Sequence, residues 1–175
     1  ARALVEASLH QPLDEVFRDF DSTPIAAASV AQVHAATLHN GQQVVAKVLR
    51  PTIRPVVKRD LKVMAFGARW LERLWRDARY FRPVRVVQDY REILLGELDL
   101  AAEARNSETM RRHFLFSPLL HIPAIHLELS SPTVIIMDRI HGIPVNDIER
   151  IKAAGIDPKV LAERGVEIFL SLIHI

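Results

Sequence analysis

Two runs rich in β-branched residues, 29–38 and 42–49, are joined by His39-Asn40-Gly41, and the second of them carries a lone lysine, Lys47. An Asn-Gly turn between alternating apolar runs predicts an antiparallel hairpin, with asparagine and glycine supplying the positive φ. An ammonium group in mid-strand is costly to bury unless an anion meets it. The fold therefore either brings a negative group to Lys47 or leaves the side chain on the solvent face of the hairpin.

Upstream lies Pro24-Ile25-Ala26-Ala27-Ala28-Ser29-Val30-Ala31-Gln32-Val33-His34. A turn of tiny residues beside β-patterned runs, one of which holds a lysine, is the arrangement by which a protein-kinase-like lobe covers and grips nucleotide phosphates. Small side chains let backbone N–H groups approach phosphate oxygens, and Ser29 adds a hydroxyl donor. Alanine allows less backbone freedom than glycine, so the loop is expected to be stiff. Taken alone, a small-residue packing site accounts for the alanines equally simply. Carboxylates for Lys47 come from an acidic helical segment, where Glu97, Asp99 and Glu103 are the candidates.

The remaining periodicities predict short helices over 2–10 and 12–17 and a long helix over 56–79 once Pro51 and Pro55 have ended the second strand. On a helical wheel Lys62, Arg69, Arg73 and Arg76 share one side, and Leu61, Val63, Met64, Ala68, Trp70, Leu71, Leu74 and Trp75 cover the other. A second long helix runs over 83–106, continues to 113, and has Val87, Tyr90, Ile93, Leu94, Glu97 and Leu98 on its inward stripe. Strands follow at 122–127 and 133–137, the latter buried, then a linker at 141–144 and helices at 146–154 and 158–170. The fold class is α+β: an antiparallel sheet with two long helices over 1–140, then a hinge exit and the first helices of an incomplete second lobe over 141–175.

Composition removes several chemistries. With no cysteine there is no disulfide and no thiolate zinc site, and none of the eight histidines pairs at a metal-binding spacing, so no metal site is expected. No apolar run reaches the roughly 18 to 20 residues that span a bilayer, and the first residues lack the apolar block of a signal peptide. Residues 50–85 hold eleven Lys/Arg against three acids, whereas 86–110 hold six acids against two arginines. A basic helix thus precedes an acidic one.

Four ordered motifs resemble the UbiB family of atypical kinase-like proteins, the aarF-domain-containing kinases. They are Pro24 to His34, the run Val44-Val45-Ala46-Lys47-Val48-Leu49-Arg50-Pro51, the run from Glu97 to Asn106, and Met137-Asp138-Arg139-Ile140-His141-Gly142-Ile143-Pro144-Val145. The resemblance implies a kinase-like N-lobe that binds ATP or ADP, with Ala26, Ala27, Ala28 and Ser29 as the nucleotide loop. It makes Lys47 the phosphate-positioning lysine and Glu103 its helix partner. Glu97 and Asp99 match the family's Glu-x-Asp motif, where a peptide substrate would enter an ordinary kinase. Met137, Asp138, Arg139 and Ile140 match the hinge whose backbone would hold adenine, and Val45 makes the adenine-facing wall bulkier than in many relatives. The catalytic loop and metal-binding aspartate lie beyond the residues given, so Mg²⁺ is expected only in a longer protein, and this stretch alone is expected to be inactive. The family's N-terminal Lys-x-Gly-Gln element is also missing, and residues 171–175 read as foreign sequence.

Arg69-Trp70-Leu71-Glu72-Arg73-Leu74-Trp75-Arg76 joins tryptophans to cations, a pattern of helices that lie on anionic membranes. The same residues also suit a helix packed on the lobe with solvated arginines. A nucleic-acid role lacks a recognised fold. Two functions stand: an ATP-binding part of an atypical kinase or ATPase that supports ubiquinone biosynthesis, and a non-catalytic, membrane-peripheral module that binds nucleotide or lipid. The resemblance implies a bacterial cytoplasmic protein peripheral to the inner membrane, with other quinone-biosynthesis proteins as partners.

Overall fold

The computed structural model describes residues 2–75 and 77–173, apart from the side chains of residues 78 and 79. Arg76 of the expected cationic face and the last two of residues 171–175 lie outside them. The elements run α1 (Arg2–Leu9), α2 (Leu13–Val16), β1 (Phe17–Ala27), β2 (Ala31–Leu38), β3 (Gln43–Leu49), α3 (Ile53–Leu74), α4 (Ala78–Phe81), α5 (Pro83–Gly96), α6 (Leu100–His113), a 3-10 turn at Leu127–Leu129, β4 (Val134–Asp138), α7 (Ile148–Ala153) and α8 (Pro158–Leu172). The four strands form one antiparallel sheet in sequence order.

Both sheet faces are covered. One packs Ala36, Val44, Ala46, Val48, Val134 and Ile136 against Val5 of α1, Leu13 and Val16 of α2, and the start of β1. The other sets Leu49 and Ile135 against Val57 and Leu61 of α3 and Leu100 and Ala104 of α6. The continuous Val-Ile-Ile-Met run of β4 is what a strand buried on both sides requires.

The hairpin forms as the sequence predicts, with one correction. Gly41 takes φ +87°, whereas Asn40 does not enter the positive region; its side-chain oxygen instead accepts from the backbone N–H of Gln42 at 2.9 Å. Asparagine closes the turn by a local hydrogen bond rather than by left-handed backbone.

Strand β1 was not expected. Pro24 and the polar Arg18, Asp19, Asp21, Ser22 and Thr23 hide its period, and its pairing with β2 shifts register at three places. Proline and register shifts are tolerated because β1 is an edge strand. Ala26 and Ala27 therefore belong to β1, paired with Val33 and Gln32, and the turn itself is only Ala28 to Val30.

The expected helix over 83–113 is two helices. Glycine at 96 weakens the first, and Asp99 opens the second by accepting from Ala101 N and Ala102 N at 3.1 and 3.3 Å, which makes it an N-cap. Of the predicted inward stripe, Leu98 is buried, whereas Tyr90, Ile93 and Glu97 are exposed. The strand expected at 122–127 shrinks to a single bridge, Ile125 to Met137, because the chain turns into the 3-10 segment two residues later. On α3 the wheel's apolar half divides: Leu61 and Ala68 are buried, and Val63, Trp70 and Leu74 are not.

Candidate functional site

Strand alternation decides where Lys47 goes. Val44, Ala46 and Val48 fill the α1/α2 face, so Val45 and Lys47 project to the opposite face, which α3 and α6 cover. There Lys47 Nζ donates to both oxygens of Glu103, at 2.6 and 2.7 Å. The lysine does not stand free in solvent.

Three devices hold Glu103 in place. The Asp99 cap fixes the first turn of α6, on which Glu103 is the fourth residue. Arg54 of α3 donates to Leu98 O at 2.7 Å, and Leu100 N donates to Pro132 O at 3.2 Å. The α5–α6 junction is thereby tied to α3 on one side and to the approach of β4 on the other.

Sheet register aligns Ala26, Val33, Lys47 and Ile135 in one row across all four strands. At the usual strand spacing, Ala26 and Lys47 are roughly 10 Å apart along that row. The neighbouring turn is closed by Ala28 N donating to Ala31 O at 2.9 Å. Arg50 fastens it from β3's end: its backbone N–H donates to Val30 O at 2.9 Å and its guanidinium to Ala28 O at 3.3 Å. Ala26 through Ser29 are solvent-exposed.

Val45 pairs directly with Met137 and shares the Lys47 face. Past Met137 the backbone of the segment expected to be the hinge is largely engaged. Asp138 N donates to Ala124 O and Arg139 N to Gln43 O, each at 3.0 Å. The Asp138 carboxylate accepts from Gln42 Nε2 at 2.7 Å and from His126 Nε2 at 2.9 Å. Ile140 is half-exposed.

A cleft of about 760 Å³ opens beside the ion pair, bordered by Lys47, Glu92, Glu97, Glu103, Asn106 and Met110. Three carboxylates and one ammonium line it, and of the three only Glu103 is bonded to Lys47. Asp99 is close in sequence but serves as the helix cap, so only Glu97 of the Glu-x-Asp pair lines the cleft. Among the described residues no group of three or more His, Asp or Glu could hold a metal ion. Sequence reasoning missed Arg50, Arg54 and Glu92. A signal existed for Arg50, which stands just before Pro51 at the strand's end, but long-range bonds to backbone carbonyls leave no trace in periodicity.

The sequence profile of the ABC1 atypical kinase-like domain matches residues 1–174. The chain belongs to this family. Its relatives include the probable protein kinase UbiB of Cronobacter sakazakii, 51% identical over 92% of this chain and 30% of the relative, and that of Marinobacter nauticus, 48% identical over 98% and 31%. The chain thus spans about a third or less of these relatives' length. A solved complex of Rv3197 with erythromycin from Mycobacterium tuberculosis matches with a TM-score of 0.72 and 29% identity, over 85% of this chain and 37% of that one. The α+β kinase-like N-lobe is therefore the fold of this ABC1 chain. In it, the four motifs that carried the resemblance map to the β1–β2 turn, strand β3, the α5–α6 junction with α6, and the end of β4. Among the described residues no helix is long and apolar enough to cross a membrane.

Proposed function

We propose that this lobe binds an adenine nucleotide, ATP or ADP, and that the protein of which it forms the N-lobe is an atypical kinase or ATPase supporting ubiquinone biosynthesis. The observation that carries the reading is the Lys47 ammonium held by both oxygens of the Glu103 carboxylate on the sheet face that overlooks a cleft. Such a pair fixes the lysine's direction, so the cation is already aimed when phosphate oxygens arrive.

The chain's residues fit that ligand. Val45 and Met137 offer an apolar surface for a purine, beside a segment whose Asp138 and Arg139 N–H groups are already bonded within the lobe. The Ala26–Ser29 segment, stapled by Arg50, covers the phosphates with small side chains and the Ser29 hydroxyl. Lys47 neutralises phosphate charge and Glu103 keeps it oriented. A bound nucleotide supplies a transferable phosphoryl group. The cleft's carboxylates at Glu92 and Glu97 favour a cationic partner, either Mg²⁺ carried on the phosphates or a basic segment of a substrate. A place on the cytoplasmic side of a bacterial inner membrane, beside other proteins of quinone synthesis, agrees with the UbiB resemblance.

Calorimetric titration with ATP and ADP tests the reading on the wild type, Lys47→Ala and Glu103→Gln. Affinity is expected to fall at least tenfold in the lysine variant and less in the glutamine one. Equal affinity in all three proteins removes the assignment.

A further inference from the structure

Helix α3 carries more apolar surface than the lobe uses. Its inward side, Val57, Leu61 and Ala68, is buried. A second stripe, Val63, Phe66, Trp70 and Leu74, is 67%, 57%, 48% and 75% exposed. Trp70 follows Leu61 by nine residues, about 180° round an ideal helix, so this stripe points straight away from the protein body. It is not a core face that failed to pack, because the opposite side of the same helix is packed.

The flank of the stripe is cationic. Lys58, Lys62, Arg69 and Arg73 occupy the sector between the buried and the exposed apolar faces, and the helix has six Lys/Arg against Asp60 and Glu72. Lys62, Arg69 and Arg73 form no ion pair with another described residue. At the boundary, Phe66, Arg69, Trp70 and Arg73 enclose a surface notch of about 240 Å³, with the two aromatic rings 6.0 Å apart. Two guanidinium groups beside two rings, one of them indole, suit an anionic head group whose chain runs along an apolar stripe. A second hollow, about 440 Å³ between α3 and α5, adds Lys58, Lys62 and Arg91 behind the first. Unpaired cations on this flank weigh against a second copy of the same chain, which would bring like charge to like charge across a symmetric contact.

We propose that the outward face of α3 is a docking surface for an anionic lipid bilayer, with Phe66, Trp70 and Leu74 entering the head-group and acyl boundary while Arg69 and Arg73 bind lipid phosphates. The helix would lie in the membrane plane, and the sheet and its Lys47 cleft would sit on the far side of α3 from the lipid. The inference is independent of nucleotide binding, since none of these residues lines the Lys47 cleft.

Vesicle co-sedimentation tests it, using phosphatidylcholine with and without a quarter of phosphatidylglycerol. Wild type is expected to bind the anionic vesicles only, and more weakly as salt rises. Arg69→Glu with Arg73→Glu is expected to reduce binding about tenfold or more, since each cation near an anionic surface contributes roughly 1 kcal/mol. Separately, Phe66→Ser with Trp70→Ser is expected to reduce it about as much by removing the apolar area that would be buried. The chain has two tryptophans, so Trp75→Phe leaves Trp70 as the reporter and keeps the stripe intact. Its emission should shift to the blue on anionic vesicles and be quenched by brominated lipid. The proposal fails if anionic vesicles are not bound, if the stripe and arginine variants bind as wild type does, or if Trp70 emission does not move. It fails equally if sedimentation velocity shows a wild-type dimer that the Phe66 and Trp70 changes dissociate, because a second copy then covers the stripe.

Discussion

Lys47 Nζ and the Glu103 carboxylate, 56 positions apart in the chain, meet at 2.6 and 2.7 Å across the junction of β3 and α6. Their side chains keep 24% and 42% of their exposure, so water still screens the pair. Ion pairs that exposed contribute only about 0 to 1 kcal/mol to stability. Glu103→Gln is therefore expected to unfold in urea within about 1 kcal/mol of wild type. A much larger loss would make the pair a structural element rather than a preset ligand contact.

Asp99 is expected to matter for stability where Glu103 is not. It caps α6 through two backbone N–H groups. Asp99→Ala should destabilise by about 0.5 to 2 kcal/mol, and Asp99→Asn by much less, because asparagine caps nearly as well. Chemical denaturation of the two variants checks the difference. Equal losses would mean the charge, not the cap, is what the site needs.

The same helix closes with a pH-sensitive cluster. Arg111, hydrogen-bonded to Glu108 at 2.7 and 3.0 Å, holds that carboxyl at about 2 instead of its usual 4.5, with Arg112 adding to the effect and burial opposing it. A carboxylate depressed in the folded state stabilises it fully above the unfolded value, and that contribution fades as pH falls from about 4.5 toward 2. Melting temperatures across that window should drop for wild type and drop less steeply for Glu108→Gln. Parallel curves would contradict the assignment.

Leu100 is fully buried where α6 meets α3 and β4, and its backbone N–H is bound to Pro132. Leu100→Ala should cost about 2 to 5 kcal/mol through lost burial and the cavity left behind. Urea unfolding reads this directly, and a cost below 1 kcal/mol would show that the junction repacks freely.

Much of this architecture was legible in the residues. The Asn-Gly hairpin, the buried Val-Ile-Ile-Met strand and the amphipathic α3 all announce themselves through period, and a mid-strand lysine demanded an acid. The misses have physical causes. Strand β1 is an edge with Pro24 and shifted register, so it shows no alternation. The break at Gly96 to Asp99 depends on a capping bond and on Leu98 finding a core, which outweigh otherwise good helix formers. The tryptophan and arginine pattern of 69–76 was legible, but which apolar residues of α3 stay outside was not, because a wheel does not reveal which of them the fold will cover. Arg50 and Arg54 act through carbonyls of distant residues, and no local pattern encodes such partners.

An acyl-phosphate derivative of ATP, which transfers its acyl group to an amine lying against the phosphates, tests the nucleotide site most directly. Mass spectrometry of the treated protein should find the acyl group on Lys47, with labelling suppressed by excess ATP and reduced in Asp99→Ala, whose helix start is loosened. Labelling spread over the lysines of α3, or labelling of Lys47 that ATP does not suppress, would contradict a phosphate-facing ammonium at this position.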